Sequence, residues 1–184
     1  MDNTLALRLR AFVQKENLMI SYIDQNLFLS GSFALQRVKD VQKLGIQAVV
    51  RVDGLNRDEG HWSDDFHVLD MPFSDGEPVP PGYLPRATAF IDRHVNAGQG
   101  VLVHCHMGVS RSVTVVLAYL IEYKGMDLRE AFHQVITRRP VAHPHPMLIA
   151  SLVRQYGLPY DLETTLQERF LHKLIKGMQV SSAR

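Results

Sequence analysis

Val101-Leu102-Val103-His104-Cys105-His106-Met107-Gly108-Val109-Ser110-Arg111-Ser112 carries the single cysteine of the chain at the end of a short apolar run, and five residues separate that thiol from Arg111. A short apolar run leading into polar residues reads as a strand. The loop after it passes Gly108, a residue suited to tight backbone geometry, into a long apolar segment that reads as a helix opening near Ser112. A thiol is a weak nucleophile until it ionises, and a helix N-terminus with nearby cations favours the thiolate. If the backbone N–H groups of the loop turn inward, His106, Met107, Gly108, Val109, Ser110 and Arg111 form an anion nest that suits both a thiolate and a tetrahedral phosphate. The planar fork of Arg111 can hold two phosphoryl oxygens at once, a geometry lysine lacks. Ser112 can hydrogen-bond the sulfur and make it a better leaving group in a second step. His104 is expected to orient the site by bonding backbone near the thiol, and His106 to face solvent.

Outward from this stretch, strands and helices alternate. Met19–Ile23 and Leu27–Ser30, separated by the turn-forming Asp24-Gln25-Asn26, predict a hairpin. Leu35, Val38, Val41 and Leu44 predict a helix from Ser32, a cap residue, to Leu44, stopped by Gly45. Ile46–Val52 and Phe66–Phe73 read as strands, and the proline- and glycine-rich Ser74–Gly82 between the second of them and the next helix reads as a loop with carboxylates at Asp75 and Glu77. Helices are expected from Tyr83 to Ala97, from Ser112 to Tyr123, after an Asp127 cap as far as Pro140, and from Pro146 to Tyr156. This order implies an α/β fold, a mostly parallel central sheet with helices on both faces, in which ligands bind beyond the carboxyl ends of the strands. Three regions are expected: an N-terminal amphipathic helix over residues 1–18, a catalytic domain over 19–158, and a C-terminal helix and tail over 159–184. The stripe Leu162, Leu166, Phe170, Leu174 and Ile175 of the last region suits packing on the core and equally a homodimer contact.

A chain of 184 residues can bury one sizeable core without disulfides or a structural metal. With 20 Lys and Arg against 19 Asp and Glu, the net charge of +1 gives no electrostatic case for nucleic acid or an anionic membrane as partner. No apolar run approaches the roughly 20 residues that span a bilayer, and the N-terminus lacks the basic start and apolar core of a secretory signal. A single cysteine fits a reducing compartment, so the expected location is cytoplasmic.

His104-Cys105, five residues, Arg111 and Ser112 resemble the signature of the cysteine-dependent protein phosphatases. Gly108-Val109-Ser110-Arg111-Ser112 with Ala118-Tyr119-Leu120-Ile121 is similar to the dual-specificity subgroup, and the resemblance runs from about Ile20 to Tyr156. It implies a cysteine-phosphatase-like fold and a hydrolase that removes phosphate from phosphotyrosine and phosphoserine or phosphothreonine in proteins, with Cys105 forming a phosphocysteine and no cofactor. It also implies a general acid upstream, at the place taken by Asp75, which the loop position of that residue supports. Asp70, inside the strand pattern, is expected to serve structure. Two departures stand out: His145 and Leu148 occupy positions where the family usually has asparagine and an aromatic residue, and Arg51 replaces a small polar residue.

Three other readings weigh against this one. A phosphoinositide, an RNA 5′-phosphate or a small phosphate ester would use the same nucleophile, although no lysine or arginine lies between Cys105 and Arg111 to favour a highly anionic group. A phosphoprotein-binding module would not need Cys105, Arg111, Ser112 and Asp75 together. A metal site built from Cys105 with His104, His106, His143 and His145 matches no familiar ligand spacing, so none is expected.

Overall fold

A computed structural model describes residues 19–54 and 62–159. The N-terminal helix expected over residues 1–18, the C-terminal helix with its suggested dimer contact, and most of the loop from Asp53 to Gly60 lie outside the described residues.

Five strands form one sheet in the order β1-β2-β5-β3-β4. β1 (Ser21–Asp24) and β2 (Leu27–Gly31) are the predicted hairpin, antiparallel, with Asn26 at the left-handed φ of 56° that its short amide side chain tolerates. β2, β5 (Gly100–Cys105), β3 (Ile46–Arg51) and β4 (His67–Asp70) run parallel, so the sheet is mixed but mostly parallel. The cysteine-bearing strand is the middle one. Its six residues are all buried, as a strand covered on both faces and paired on both edges must be.

The two faces are covered unequally. Val101, Val103, Leu27, Leu29, Ala48 and Val50 pack against α2 (Tyr83–Asn96), α3 (Arg111–Lys124), α4 (Leu128–Arg138) and α5 (Pro146–Tyr156). Leu102, Phe28, Ile46 and Val49 meet a smaller cover: a 3-10 turn (Ser32–Arg37) and α1 (Val38–Lys43), with Leu35, Val41 and Leu44. α3 is buried from Ser112 to Ile121, which explains why its sequence is apolar on every side rather than along a stripe. Each fully buried leucine or valine there contributes about 1.5–3 kcal/mol. α4 starts as predicted at Asp127, whose carboxylate accepts from the Glu130 N–H at 2.7 Å while Glu130 accepts from the Asp127 N–H at 3.1 Å.

Two elements differ from expectation. The helix predicted from Ser32 to Leu44 is broken at Arg37 (φ −120°, ψ 56°) into the 3-10 turn and α1. Ser32 does not cap it; its N–H and hydroxyl both donate to the His106 carbonyl, at 3.1 and 3.3 Å, so the first turn is tied to the cysteine loop. The strand predicted to reach Phe73 ends at Asp70 because Pro72 has no N–H for the ladder, although Met71 and Phe73 still donate to the carbonyls of Arg51 and Val52.

Candidate functional site

The parallel register places Cys105 level with Gly31 and His104 level with Arg51, at the carboxyl edge of the sheet where α/β folds bind ligands. From there residues 106–110 loop into α3, whose first residue is Arg111. The loop can lie this close to β2 only because each segment turns a glycine toward the other segment's backbone. Gly108 adopts a φ of 66°, and a Cβ on it would sit 2.4 Å from the Ser30 carbonyl. A Cβ on Gly31 would approach the His106 carbonyl to 2.9 Å.

Cys105, 2% exposed, lies 3.2 Å from the Ser112 hydroxyl, the contact the sequence anticipated. Arg111 is held through one nitrogen: Nη1 donates to the carbonyls of Asp53 at 3.2 Å and Phe73 at 3.3 Å. Its buried Nε has no protein partner among the described residues. The guanidinium is thus anchored on one side and keeps Nε and Nη2 for a bidentate acceptor, a geometry that suits two oxygens of one phosphoryl group.

Asp75, Cys105 and Arg111 line one cavity of about 570 Å³ together with Ser110, His143 and His145. His106, Met107 and Val109 of the loop line it as well. Glu77, the other carboxylate of the acidic loop, is exposed and is not among the lining residues. Asp75 reaches the site through Ser110, whose hydroxyl donates to Oδ1 at 2.6 Å. Asp70 serves structure as expected, pairing with Arg51 across β3 and β4, where Arg51 Nε donates to Oδ1 at 2.9 Å and Nη2 to Oδ2. His106 differs from expectation: it is half-buried, with its carbonyl accepting from the Ser32 N–H and its Nδ1 out of solvent.

His104 stands behind the nucleophile and outside the cavity, 2% exposed, with Nδ1 3.9 Å from the Asp53 carboxylate. Burial pushes its pKa down to about 4, against the pull of Asp53 and with a smaller push from Arg51. The contact with Asp53 is therefore made by a neutral imidazole at physiological pH. A consequence for stability follows from linkage. In the unfolded chain this group titrates near its ordinary value of about 6.5, so between about 6.5 and 4 the unfolded state holds the extra proton. The contribution of His104 to stability is full above about pH 6.5 and is lost as the pH drops toward 4. Denaturant melts at pH 7.5 and 4.5 of wild type and His104→Gln should show a smaller acid loss in the variant; equal losses would remove His104 as the source.

Sequence reasoning missed Arg139. It is 6% exposed and lies beneath the loop, donating from Nε to the Gly108 carbonyl at 2.5 Å, from Nη2 to that of Met107 at 3.1 Å, and from Nη1 to the Met19 carbonyl at 3.1 Å. Burial lowers its pKa from the ordinary guanidinium value, and the charge of Cys105 draws it back up. The bonds to Gly108 and Met107 fix two loop carbonyls on Arg139, which is not among the residues lining the cavity. Its only sequence signal was the pair Arg138-Arg139 at a helix end, which reads as ordinary complementation of the helix dipole. The departures at α5 also acquire roles. His145 caps the helix, its Nδ1 accepting from the Met147 N–H at 3.2 Å, and Leu148 is fully buried in the larger core.

Comparison with known proteins gives three results. A family model described as the dual specificity phosphatase catalytic domain matches residues 27–157. Dual specificity protein phosphatase 9 of Homo sapiens is 31% identical over 159 residues, covering 86% of this chain and 40% of the human protein, and dual specificity protein phosphatase 1B of Arabidopsis thaliana is 47% identical over 70 residues, covering 38% and 42%. The crystal structure of human DUSP28 superposes with a TM-score of 0.68 at 28% identity, covering 75% of this chain and 92% of that one. The chain spans about two fifths of the length of the curated relatives it matches. Among the described residues no helix is long and apolar enough to cross a membrane.

Proposed function

The chain belongs to the dual specificity phosphatase family, and from that premise we propose that it hydrolyses phosphotyrosine and phosphoserine or phosphothreonine in proteins through a phosphocysteine intermediate. The observation that carries this is the convergence of Cys105, Arg111 and Asp75 on one cavity. In the first step the Cys105 thiolate attacks phosphorus, the P–O ester bond breaks, and Asp75 gives its proton to the leaving oxygen. Arg111, with the loop N–H groups, holds the equatorial phosphoryl oxygens as charge redistributes among them. In the second step Asp75, now a carboxylate, takes a proton from water as that water attacks phosphorus, and the P–S bond breaks. The Ser112 hydroxyl, 3.2 Å from the sulfur, stabilises the departing thiolate. Inorganic phosphate leaves with Cys105 and Asp75 ready for another cycle.

A protein substrate is supported by the family and by the cavity lining, in which Arg111 is the only Arg or Lys among the described residues. A phosphoinositide carrying several phosphates would find no second cation there. The need for a reduced thiol, with no membrane-crossing helix among the described residues, supports a cytoplasmic location. Initial rates on phosphotyrosine peptides, phosphothreonine peptides and soluble phosphoinositides test the substrate class. Both peptide types should be turned over, with phosphoinositides at least about tenfold slower in kcat/KM, a difference of about 1.4 kcal/mol; faster turnover of the lipid headgroup would reverse the assignment.

A further inference from the structure

The acidic loop is exposed and carries prolines and glycines, yet its carboxylate is held in place. The Ser110 hydroxyl has one proton to give. Its oxygen accepts the His145 N–H at 2.9 Å, so the proton is directed to Asp75 Oδ1, 2.6 Å away. The bond occupies one carboxylate oxygen and leaves Oδ2 to carry the catalytic proton. Two further contacts hold the loop without touching the carboxylate. The His145 ring lies against Gly76, 3.6 Å from where a Cβ would stand, and the Val79 N–H donates to the Ser151 hydroxyl at 3.0 Å. Among the described residues, Ser110 is thus the one in hydrogen-bond contact with both the acid and the segment that buttresses the acid's loop.

We propose that Ser110 is a positioning residue for Asp75, fixing the acid over the cavity through a hydroxyl that His145 orients. This rests on the phosphatase reading above. Its loss leaves Asp75 chemically intact but no longer aimed, and the defect appears where the leaving oxygen most needs a proton.

The test compares wild type, Ser110→Ala, Ser110→Thr, Asp75→Asn and the Ser110→Ala/Asp75→Asn pair on p-nitrophenyl and phenyl phosphate, with orthovanadate inhibition measured alongside. Ser110→Ala should lose about 10- to 100-fold in kcat/KM on phenyl phosphate, the scale of one hydrogen bond to a charged group, and clearly less on the p-nitrophenyl ester. Vanadate inhibition should stay near wild type, and Ser110→Thr should recover most of the rate. Added to Asp75→Asn, the alanine should cost little more, because its effect passes through the acid. Equal losses on both esters with weakened vanadate inhibition, additive losses in the double variant, or no loss on phenyl phosphate would each overturn the role of Ser110. The wild-type arm separates the two levels: an inactive wild type would sink the phosphatase reading itself, whereas an active one confines the failure to Ser110.

Discussion

Cys105→Ser is expected to abolish turnover of p-nitrophenyl phosphate, by about 10⁴-fold or more, while orthovanadate and phosphate still bind. The substitution changes one atom in a residue only 2% exposed, so the buried strand end keeps its packing. What is lost is an ionisable nucleophile, since a serine hydroxyl does not give up its proton at neutral pH in the absence of a base. Ser112 cannot act as that base, and His104, neutral and turned toward Asp53, is not among the residues lining the cavity. What remains is the anion site: the loop N–H groups supported by Arg139 and the Arg111 fork anchored on the Asp53 and Phe73 carbonyls. Rates by stopped assay and affinities by competition or calorimetry measure the two separately. Turnover within tenfold of wild type would mean that water attacks phosphorus directly and that no phosphocysteine forms.

Asp75→Asn is the second large effect, and its size should depend on the ester. For phenyl phosphate, whose phenolate leaves poorly, the loss should reach about 10²- to 10⁴-fold, the usual contribution of a positioned general acid. For an activated aryl phosphate it should be much smaller in the first step. The asparagine carbonyl oxygen can still accept the Ser110 hydroxyl, so geometry is retained and only the proton is removed. A plot of log kcat/KM against leaving-group pKa should therefore steepen in the variant. A parallel downward shift would show that Asp75 does not protonate the leaving group, and Glu77, its neighbour on the loop, would become the next residue to replace.

The position of the nucleophile and the strand-to-helix turn could be read directly because they are local. Apolar runs, glycine placement and cap residues are short-range signals. The hairpin at Asp24–Asn26, the cap at Asp127 and the helix from Pro146 appear where their chemistry demands. The helix from Ser32 broke because a contact from sequence-distant His106 captured its first turn, and a periodicity of apolar residues contains no information about such a contact. Both versions bury Leu35 and Val41, so the core face was legible although the helix type was not.

By itself, then, the sequence determined the chemistry on offer: one thiol, one guanidinium separated from it by five residues, a hydroxyl to follow, and an alternation of strands and helices that places them at a sheet edge. Only the tertiary structure decided how those groups are held. Arg111 is anchored by backbone carbonyls of Asp53 and Phe73, and Arg139 is recruited beneath the loop by those of Gly108 and Met107. Every residue has a carbonyl, so an acceptor of that kind leaves no mark in a sequence. Ser110 likewise reads as one more loop residue until the fold brings Asp75 to one side of its hydroxyl and the His145 N–H to the other. A hydroxyl takes its direction from its neighbours, and these neighbours meet only when the sheet and its helices have assembled.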